Sequence, residues 1–237
     1  MINQIEIGSN NCEEEALLNI LEFPILLQLP SVYSIIAVPT LKGINDLNTI
    51  KNRLPGKNYG SLIGDLNKFF QLISINNIPE KFQTKKSLNS FINCFIRANV
   101  NSKDFNSSVV RNGTHQALLL QNEKLRSLVK AIETKFANLN EKKLFTGQNY
   151  MAPLCTSANI SGDPNGSIVS KEDAISFAKK RNIKLIISLN KKDISNDLGS
   201  YPIISFKKNK IDIARKGPGI NKVIELIPMN LRGLHFP

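Results

Sequence analysis

The stretch Pro153–Gly166, PLCTSANISGDPNG, decides how the whole chain is read. Met151 to Cys155 is apolar enough for a buried strand. Thr156, Ser157, Asn159 and Ser161 come next, all short side chains that hydrogen-bond. Two readings of this junction stay open on composition. One is a strand ending in a plain turn, since Ser, Asn, Asp, Gly and Pro are the ordinary turn residues. The other is a polar loop at the carboxyl end of a strand, where α/β sheets bind ligands.

Outward from that stretch, strand and helix patterns interleave. Glu13 to Phe23 puts acids before Leu17, Leu18, Ile20 and Leu21, a helix start. YSIIAVPT has the β-branched run of a strand, stopped by Pro39. GSLIGDL reads as a short strand leading into a helix over Leu66 to Ile75. Asn76 to Asn106 is polar and irregular, with one helical candidate at Ser87 to Arg97, and SSVVR reads as a strand. Leu125, Leu128, Val129, Ile132 and Phe136 recur at helical spacing, a core-facing stripe. Ser170 with Asp173 three residues on marks another helix start. IKLIISL is a strand. YPIISF and KIDIARKG are two more, joined as a hairpin through Lys207 to Lys210, and GINKVIEL suggests a last helix. The class is therefore α/β with some antiparallel pairing. No repeat, low-complexity block or long linker interrupts the 237 residues, so one domain over 1–237 is expected.

Cys12, Cys94 and Cys155 lie far apart, and His115 and His235 are the only histidines, so neither a zinc site nor a disulfide framework is suggested. A reducing, cytoplasmic location follows as the default. No secretory signal pattern opens the chain and no apolar run reaches the length of a membrane span. The formal charge is +12 and the pI about 9.6. That favours an anionic partner, a nucleic acid or a nucleotide. Only seven of the 31 basic residues are arginine, however, and a lysine excess is also what a solvated surface shows.

Four polar clusters flank the expected strands. They are Pro39-Thr40; Lys51, Arg53 and Lys57 in KNRLPGK; Ser107, Ser108, Arg111 and His115 in SSVVRNGTH; and the opening stretch, followed later by Arg215 in IARKG. No Ser-His-Asp order, HExxH or GxxxxGK[ST] loop is present. Cations neutralise phosphate, arginine with two parallel hydrogen bonds. Small hydroxyls and amides orient a ligand without bulk. Together this is equipment for holding a nucleotide, where catalysis is chiefly positioning and charge stabilisation. Taken alone, His115 reads as structural, Lys51 and Arg53 also suit a solvated helix end, and Arg97 lies outside every cluster.

Taken together these clusters resemble one family. TSANISGDPNGS is similar to the TSAN-x-SG-x-P signature of the YrdC-like proteins, the threonylcarbamoyl-AMP synthases. KNR matches the family's Lys-x-Arg motif. SSVVRNGTH resembles its Arg-x-Pro-x-His segment, IDIARKG its late Arg-x-Gly strand and AVPT the end of its early strand. The order is collinear over roughly residues 34–226, with a short N-terminal extension and a C-terminal tail. The resemblance implies an open twisted mixed sheet with helices and a concave basic face. It implies a nucleotidyltransferase that makes threonylcarbamoyl-adenylate and pyrophosphate from ATP, bicarbonate and threonine, for later transfer to tRNA with partner proteins. It assigns Lys51, Arg53, Ser157 and Asn159 to catalysis. Lys51, Arg53, Ser107, Asn159, Ser167 and Arg215 would bind ATP, and Thr40, Arg111 and Ser157 threonine. Mg²⁺ is implied with the triphosphate, and no protein-held metal.

The chain departs from the family at two places. Ile44 and Asn45 stand where the family carries Tyr and Gly, and Tyr201-Pro202 where it carries Ser-Thr. RNGTH also lacks the usual proline. Three activities stay open: the synthase, a carbamoyl-adenylate enzyme with another acceptor, and a non-catalytic binder of tRNA or double-stranded RNA.

Overall fold

The computed structural model describes residues 1–54, 57–101, 105–139, 144–146 and 148–233. His235 and the last residues of the tail fall outside that range. Among the described residues ten strands form one mixed sheet in the order β1-β8-β2-β3-β7-β4-β6-β5-β9-β10. They are β1 Asn3–Glu6, β2 Ile25–Leu29, β3 Val32–Ala37, β4 Gly60–Ile63, β5 Phe95–Asn99, β6 Thr114–Leu119, β7 Leu154–Ser157, β8 Leu185–Ser188, β9 Ile203–Lys207 and β10 Lys210–Arg215. The helices are α1 Cys12–Glu22, α2 Leu41–Lys51, α3 Asn67–Leu72, α4 Lys85–Asn89, α5 Glu123–Phe136, α6 Lys171–Lys180 and α7 Ile220–Leu226. The expected α/β class with antiparallel hairpins stands, and Lys207 pairs with Lys210 at the expected β9–β10 hairpin. No described helix is long and apolar enough to cross a membrane.

Several local expectations are corrected. The helix expected over Ser87 to Arg97 ends at Asn89, and Phe95–Asn99 is instead β5. Phe95, Ile96 and Ala98 are buried between β6 and β9, and that sheet slot overrides the weak helical pattern. SSVVR is a turn rather than a strand, with Arg111 bridging Thr114 and the strand β6 starting only there. Asn112 and Gly113, both at positive φ, make that turn. Strands β1 and β2 and helix α2 are not evident in the sequence pattern. Helix α2 is hidden because Gly43 and Asn45 break the apparent periodicity. Gly43 is required there: a Cβ on it would sit 2.0 Å from the Val38 carbonyl oxygen.

Apolar residues pack on both sheet faces. Leu26, Tyr33, Ile35, Ile96, Ala117 and Ile204 share one core with Ile44, Leu47 and Ile50 of α2 and Phe177 of α6. Leu27, Ile36, Leu62, Leu118, Phe95 and Ile203 share the other with α1 and α5. On this second face the alternation turns polar beyond Phe95 and Ile203. Arg97 and Asn99 come next on β5, Gln116 and Thr114 on β6, and Ser205 and Lys207 on β9. Their backs, Ile96, Ala98, Ala117, Ile204 and Phe206, are in the core. One sheet face is thus packed while the same strands offer a polar floor on the other.

Candidate functional site

A cleft of about 1060 Å³ opens on that floor. Among the described residues it is lined by seven cations, Lys51, Arg53, Lys57, Arg97, Arg111, Lys207 and Arg215, against one carboxylate, Asp212. Seven of the nine residues implied by the resemblance line it: Lys51, Arg53, Arg111, Ser157, Asn159, Ser167 and Arg215. Thr40 and Ser107 do not. Thr40 is fully buried, and its Oγ1 accepts from the Gly43 N–H at 3.3 Å as the N-cap of α2. Its contribution to the site is indirect, through the helix that carries Lys51. Ser107 is an exposed turn residue, and His115 lies wholly in the core.

Strand β7 carries the opening stretch to the cleft. Its ladder partners are β3 and β4, and the hydroxyl residues Thr156 and Ser157 are its last two members rather than a loop. Lys51, the last residue of α2, clasps the end of β7 and the loop after it. Its ammonium donates to Ser157 O at 2.6 Å, to Asn159 O at 2.8 Å and to Asn159 Oδ1 at 2.9 Å. Its own carbonyl accepts from Ser161 N at 2.8 Å. Three donors meet three oxygens, so the lysine is fully used inside the protein. It is 2% exposed. Burial, with Arg53 and Lys57 nearby, pushes its pKa down to about 7, while the three oxygens favour the ammonium. The Ser157 hydroxyl donates to the same Asn159 Oδ1 at 2.9 Å. With two donors on Oδ1, the Asn159 amide is fixed in orientation and its NH₂ is left as a donor.

Each arginine is positioned differently. Arg53 donates to Asn58 O at 2.7 Å and lies 4.2 Å over the Tyr59 ring, a cation–π contact. Tyr59 is held in turn by Asn48 of α2 at 2.8 Å. Arg215 reaches the cleft through a β-bulge: Ile213 pairs Ile204, but Arg215 rather than Ala214 pairs Ile203. Simple alternation would have turned Arg215 to the far face, so the extra residue re-aims it. Its Nε and Nη2 donate to Tyr201 O at 2.9 and 2.6 Å. Burial, then the Arg97 charge, pushes its pKa down to about 10. Arg111 is exposed at the rim on the turn before β6.

Sequence reasoning missed Arg97, Gln116, Ser200, Lys207 and Asp212, all in the lining. Arg97 donates to Gln116 Oε1 through both Nε and Nη2, and Ser167 hydrogen-bonds Ser200. The period-2 pattern of FIRAN could have shown Arg97 opposite a buried face, had the strand been recognised. Cys155 also lines the cleft, but burial pushes its thiol up to about 12, so it is no nucleophile at neutral pH. His115 is positioned by Ser61 at 2.9 Å and Val109 O at 2.8 Å, among Phe69, Phe145 and Tyr150. Since the carbonyl only accepts, Nδ1 carries the proton and Nε2 accepts from Ser61.

No protein-family model matches the chain, and no curated protein matches it. Solved structures do. Sua5 of P. abyssi in complex with L-threonine matches with a TM-score of 0.72 at 15% identity, over 98% of this chain and 62% of that one. A doubly substituted P. abyssi Sua5 matches at 0.70 and 16%, over 98% and 66%. E. coli YciO matches at 0.67 and 14%, over 92% and 97%. This chain therefore spans less than two thirds of those Sua5 chains and nearly all of YciO. At such identities the likeness concerns architecture, and it agrees with the collinear motifs: the chain has the YrdC-like fold that Sua5 and YciO share.

Proposed function

We propose that the protein is a threonylcarbamoyl-AMP synthase, a nucleotidyltransferase that makes threonylcarbamoyl-adenylate from threonine, bicarbonate and ATP. The observation that carries this reading is the convergence of Lys51, Arg53, Ser157 and Asn159 with Arg111 and Arg215 in one cleft. The likeness to a Sua5 that binds L-threonine supports it. The chemistry needs two steps. The threonine amine attacks the bicarbonate carbon and water leaves, giving a carbamate. A carbamate oxygen then attacks the α-phosphorus of ATP, and the bond to the β-phosphate breaks to release pyrophosphate.

Both steps gather negative charge, and the cleft answers it with fixed donors. Arg53 and Arg215 hold nucleotide phosphates, each with its guanidinium anchored to a main-chain carbonyl. Arg111 at the rim takes the threonine carboxylate. The oriented Asn159 amide donates toward the reacting phosphate. Lys51 acts one step back, as a positive charge under the loop and the clasp that holds Ser157 and Asn159 in place. Preset donors spare the reaction the cost of reorganising them. Magnesium would enter as part of the ATP substrate, held by its phosphates. tRNA and the proteins that consume the adenylate are the partners this reading implies, in the cytoplasm.

A second reading, the same adenylate chemistry on another amine acceptor, is favoured by one observation. Ile44, buried on α2, and Tyr201, whose carbonyl anchors Arg215, stand where the family carries Tyr and Ser. Mass spectrometry after incubation with ATP, bicarbonate and threonine tests the proposal. The expected result is threonylcarbamoyl-adenylate with equimolar pyrophosphate; intact ATP refutes it.

A further inference from the structure

Arg97 belongs to no sequence motif, yet it lies on the cleft floor between Gln116 and Ser205. It is braced in the same way as Arg215. Arg97 donates through Nε and Nη2 to one neutral oxygen, Gln116 Oε1, at 3.1 and 2.6 Å. Arg215 donates through the same two nitrogens to Tyr201 O, at 2.9 and 2.6 Å. A guanidinium carries five N–H donors, so each arginine keeps three on the edge away from its brace. Gln116 and Tyr201 are both buried, which sets the planes of the two guanidinia.

The two guanidinia are neighbours. Ile203 of β9 pairs with Phe95 on one side and Arg215 on the other. Arg215 reaches back across that row, and its Cζ lies 5.9 Å from the centre of the Phe95 ring. Phe95 precedes Arg97 by two residues on the same face of β5, and two residues of strand span about 7 Å. Arg215 therefore ends about one row of side chains from Arg97. After burial, the Arg97 charge is the next cause that lowers the Arg215 pKa. Among the described residues no carboxylate pairs with either arginine. Asp212 is held by Lys207 at 2.8 Å, with Lys210 at 3.9 Å. Two part-buried cations side by side on neutral oxygens are costly to keep unless an anion shares them. A polyphosphate suits the pair, because it lays adjacent charges along a short chain and each guanidinium edge can take two oxygens.

We infer that Arg97 and Arg215 together cradle the pyrophosphate end of ATP, and that Arg97 is a further catalytic residue of the adenylate-forming step. This rests on the reading of the cleft as a threonylcarbamoyl-AMP synthase site. As a carbamate oxygen bonds to the α-phosphorus, the bond from that phosphorus to the bridging oxygen breaks. The bridging oxygen keeps the electron pair and leaves as part of pyrophosphate. Negative charge grows on this leaving group, and two fixed guanidinia meet it without reorganising. Gln116 is a positioning residue, whose amide oxygen holds Arg97 without neutralising it.

Calorimetric titration of the full chain with ATP, AMP and inorganic pyrophosphate tests this. In the wild type, pyrophosphate binds and competes with ATP. Arg97→Gln weakens pyrophosphate and ATP by at least about tenfold, or about 1.4 kcal/mol, and leaves AMP within about twofold. Gln116→Glu keeps the shape of the brace but sets a carboxylate on the guanidinium. It weakens the same two ligands and spares AMP, although Arg97 is intact. The unchanged AMP affinity reports that the cleft is folded. Arg97-dependent pyrophosphate binding without adenylate formation supports the cradle while sinking the synthase reading. Adenylate formation with pyrophosphate and ATP affinities unchanged in Arg97→Gln does the reverse. Equal weakening of ATP and AMP, or Arg97-dependent binding of an RNA duplex with no response to pyrophosphate, also overturns the inference. Failure of pyrophosphate to compete with ATP in the wild type overturns it whether or not the variants fold.

Discussion

Replacing Lys51 by methionine separates two roles for this residue, a clasp and a phosphate ligand. Methionine keeps much of the stem's bulk and removes all three donors. Asn159 Oδ1 still receives the Ser157 hydroxyl, so it stays partnered. The main-chain carbonyls of Ser157 and Asn159 lose their charged donor in a part-buried setting. At about 1–3 kcal/mol for each of the two orphaned carbonyls, the loss is about 2–6 kcal/mol. Removing a buried charge offsets part of it. Urea unfolding at pH 6, where the Lys51 ammonium is charged, should show the loss as a lower midpoint with an unchanged slope. The cycle of Lys51→Met with Asn159→Ala should show a coupling of about 1 kcal/mol, since the two share one bond. In pyrophosphate-release assays kcat should fall, because the loop that orients Asn159 is released. If Lys51→Met lies within about 0.5 kcal/mol of wild type and only the KM for ATP rises, the clasp is wrong and Lys51 is a direct phosphate ligand.

The same geometry makes four shorter predictions. Burial pushes His115 down to about 4 from an unfolded value of 6.5. The unfolded chain therefore binds the extra proton, and stability present above pH 6.5 is lost as pH falls through 4, by about 3 kcal/mol in all. Because Glu133 pulls the other way, the measurement is the difference between wild type and His115→Gln, which should shrink to a constant if His115 is responsible. Burial raises Glu133 to about 7 although it accepts from Gly64 N at 3.1 Å. Its stability contribution is present below pH 4.5 and lost as pH rises through 7, so Glu133→Gln should raise Tm at pH 8.5 and not at pH 4; an equal shift at both would contradict it. Gly43→Ala should cost more than about 2 kcal/mol, because its Cβ meets the Val38 carbonyl, and a stable, fully active variant would contradict the placement of α2. Finally, if the basic cleft chiefly serves RNA, duplex affinity should fall steeply with salt and Arg53→Ala should flatten that slope by about one unit. We expect Arg53→Ala to weaken ATP binding instead.

The legibility of the chain divides along physical lines. Strands with β-branched runs and helices with strong apolar stripes, such as β3, β8 and α5, declare themselves locally. Helix α2 does not. Its capping Thr40, its close-approach Gly43 and its terminal Lys51 make sense only once Val38 and the β7 loop are in place. The TSAN signature and Lys-x-Arg motif mark Lys51, Arg53, Ser157 and Asn159, and the structure brings them into one cleft. It also shows what spacing could not: the ammonium of Lys51 is turned inward to the loop. Arg215 looks like a simple alternation position in the sequence, and only the bulge between Ile213 and Arg215 aims it into the site. Arg97 lies outside every sequence cluster, because the segment around it has a helical pattern. Register against Gln116 and Ser205 places it on the cleft floor.

The most direct test of the account is one incubation of the full chain with ATP, ¹³C-bicarbonate and threonine, followed by mass spectrometry. The account predicts an adenylate carrying one ¹³C and one acceptor, formed with equimolar pyrophosphate and reduced in Arg53→Ala. Unconsumed ATP, or pyrophosphate released without ¹³C in the adenylate, would contradict it.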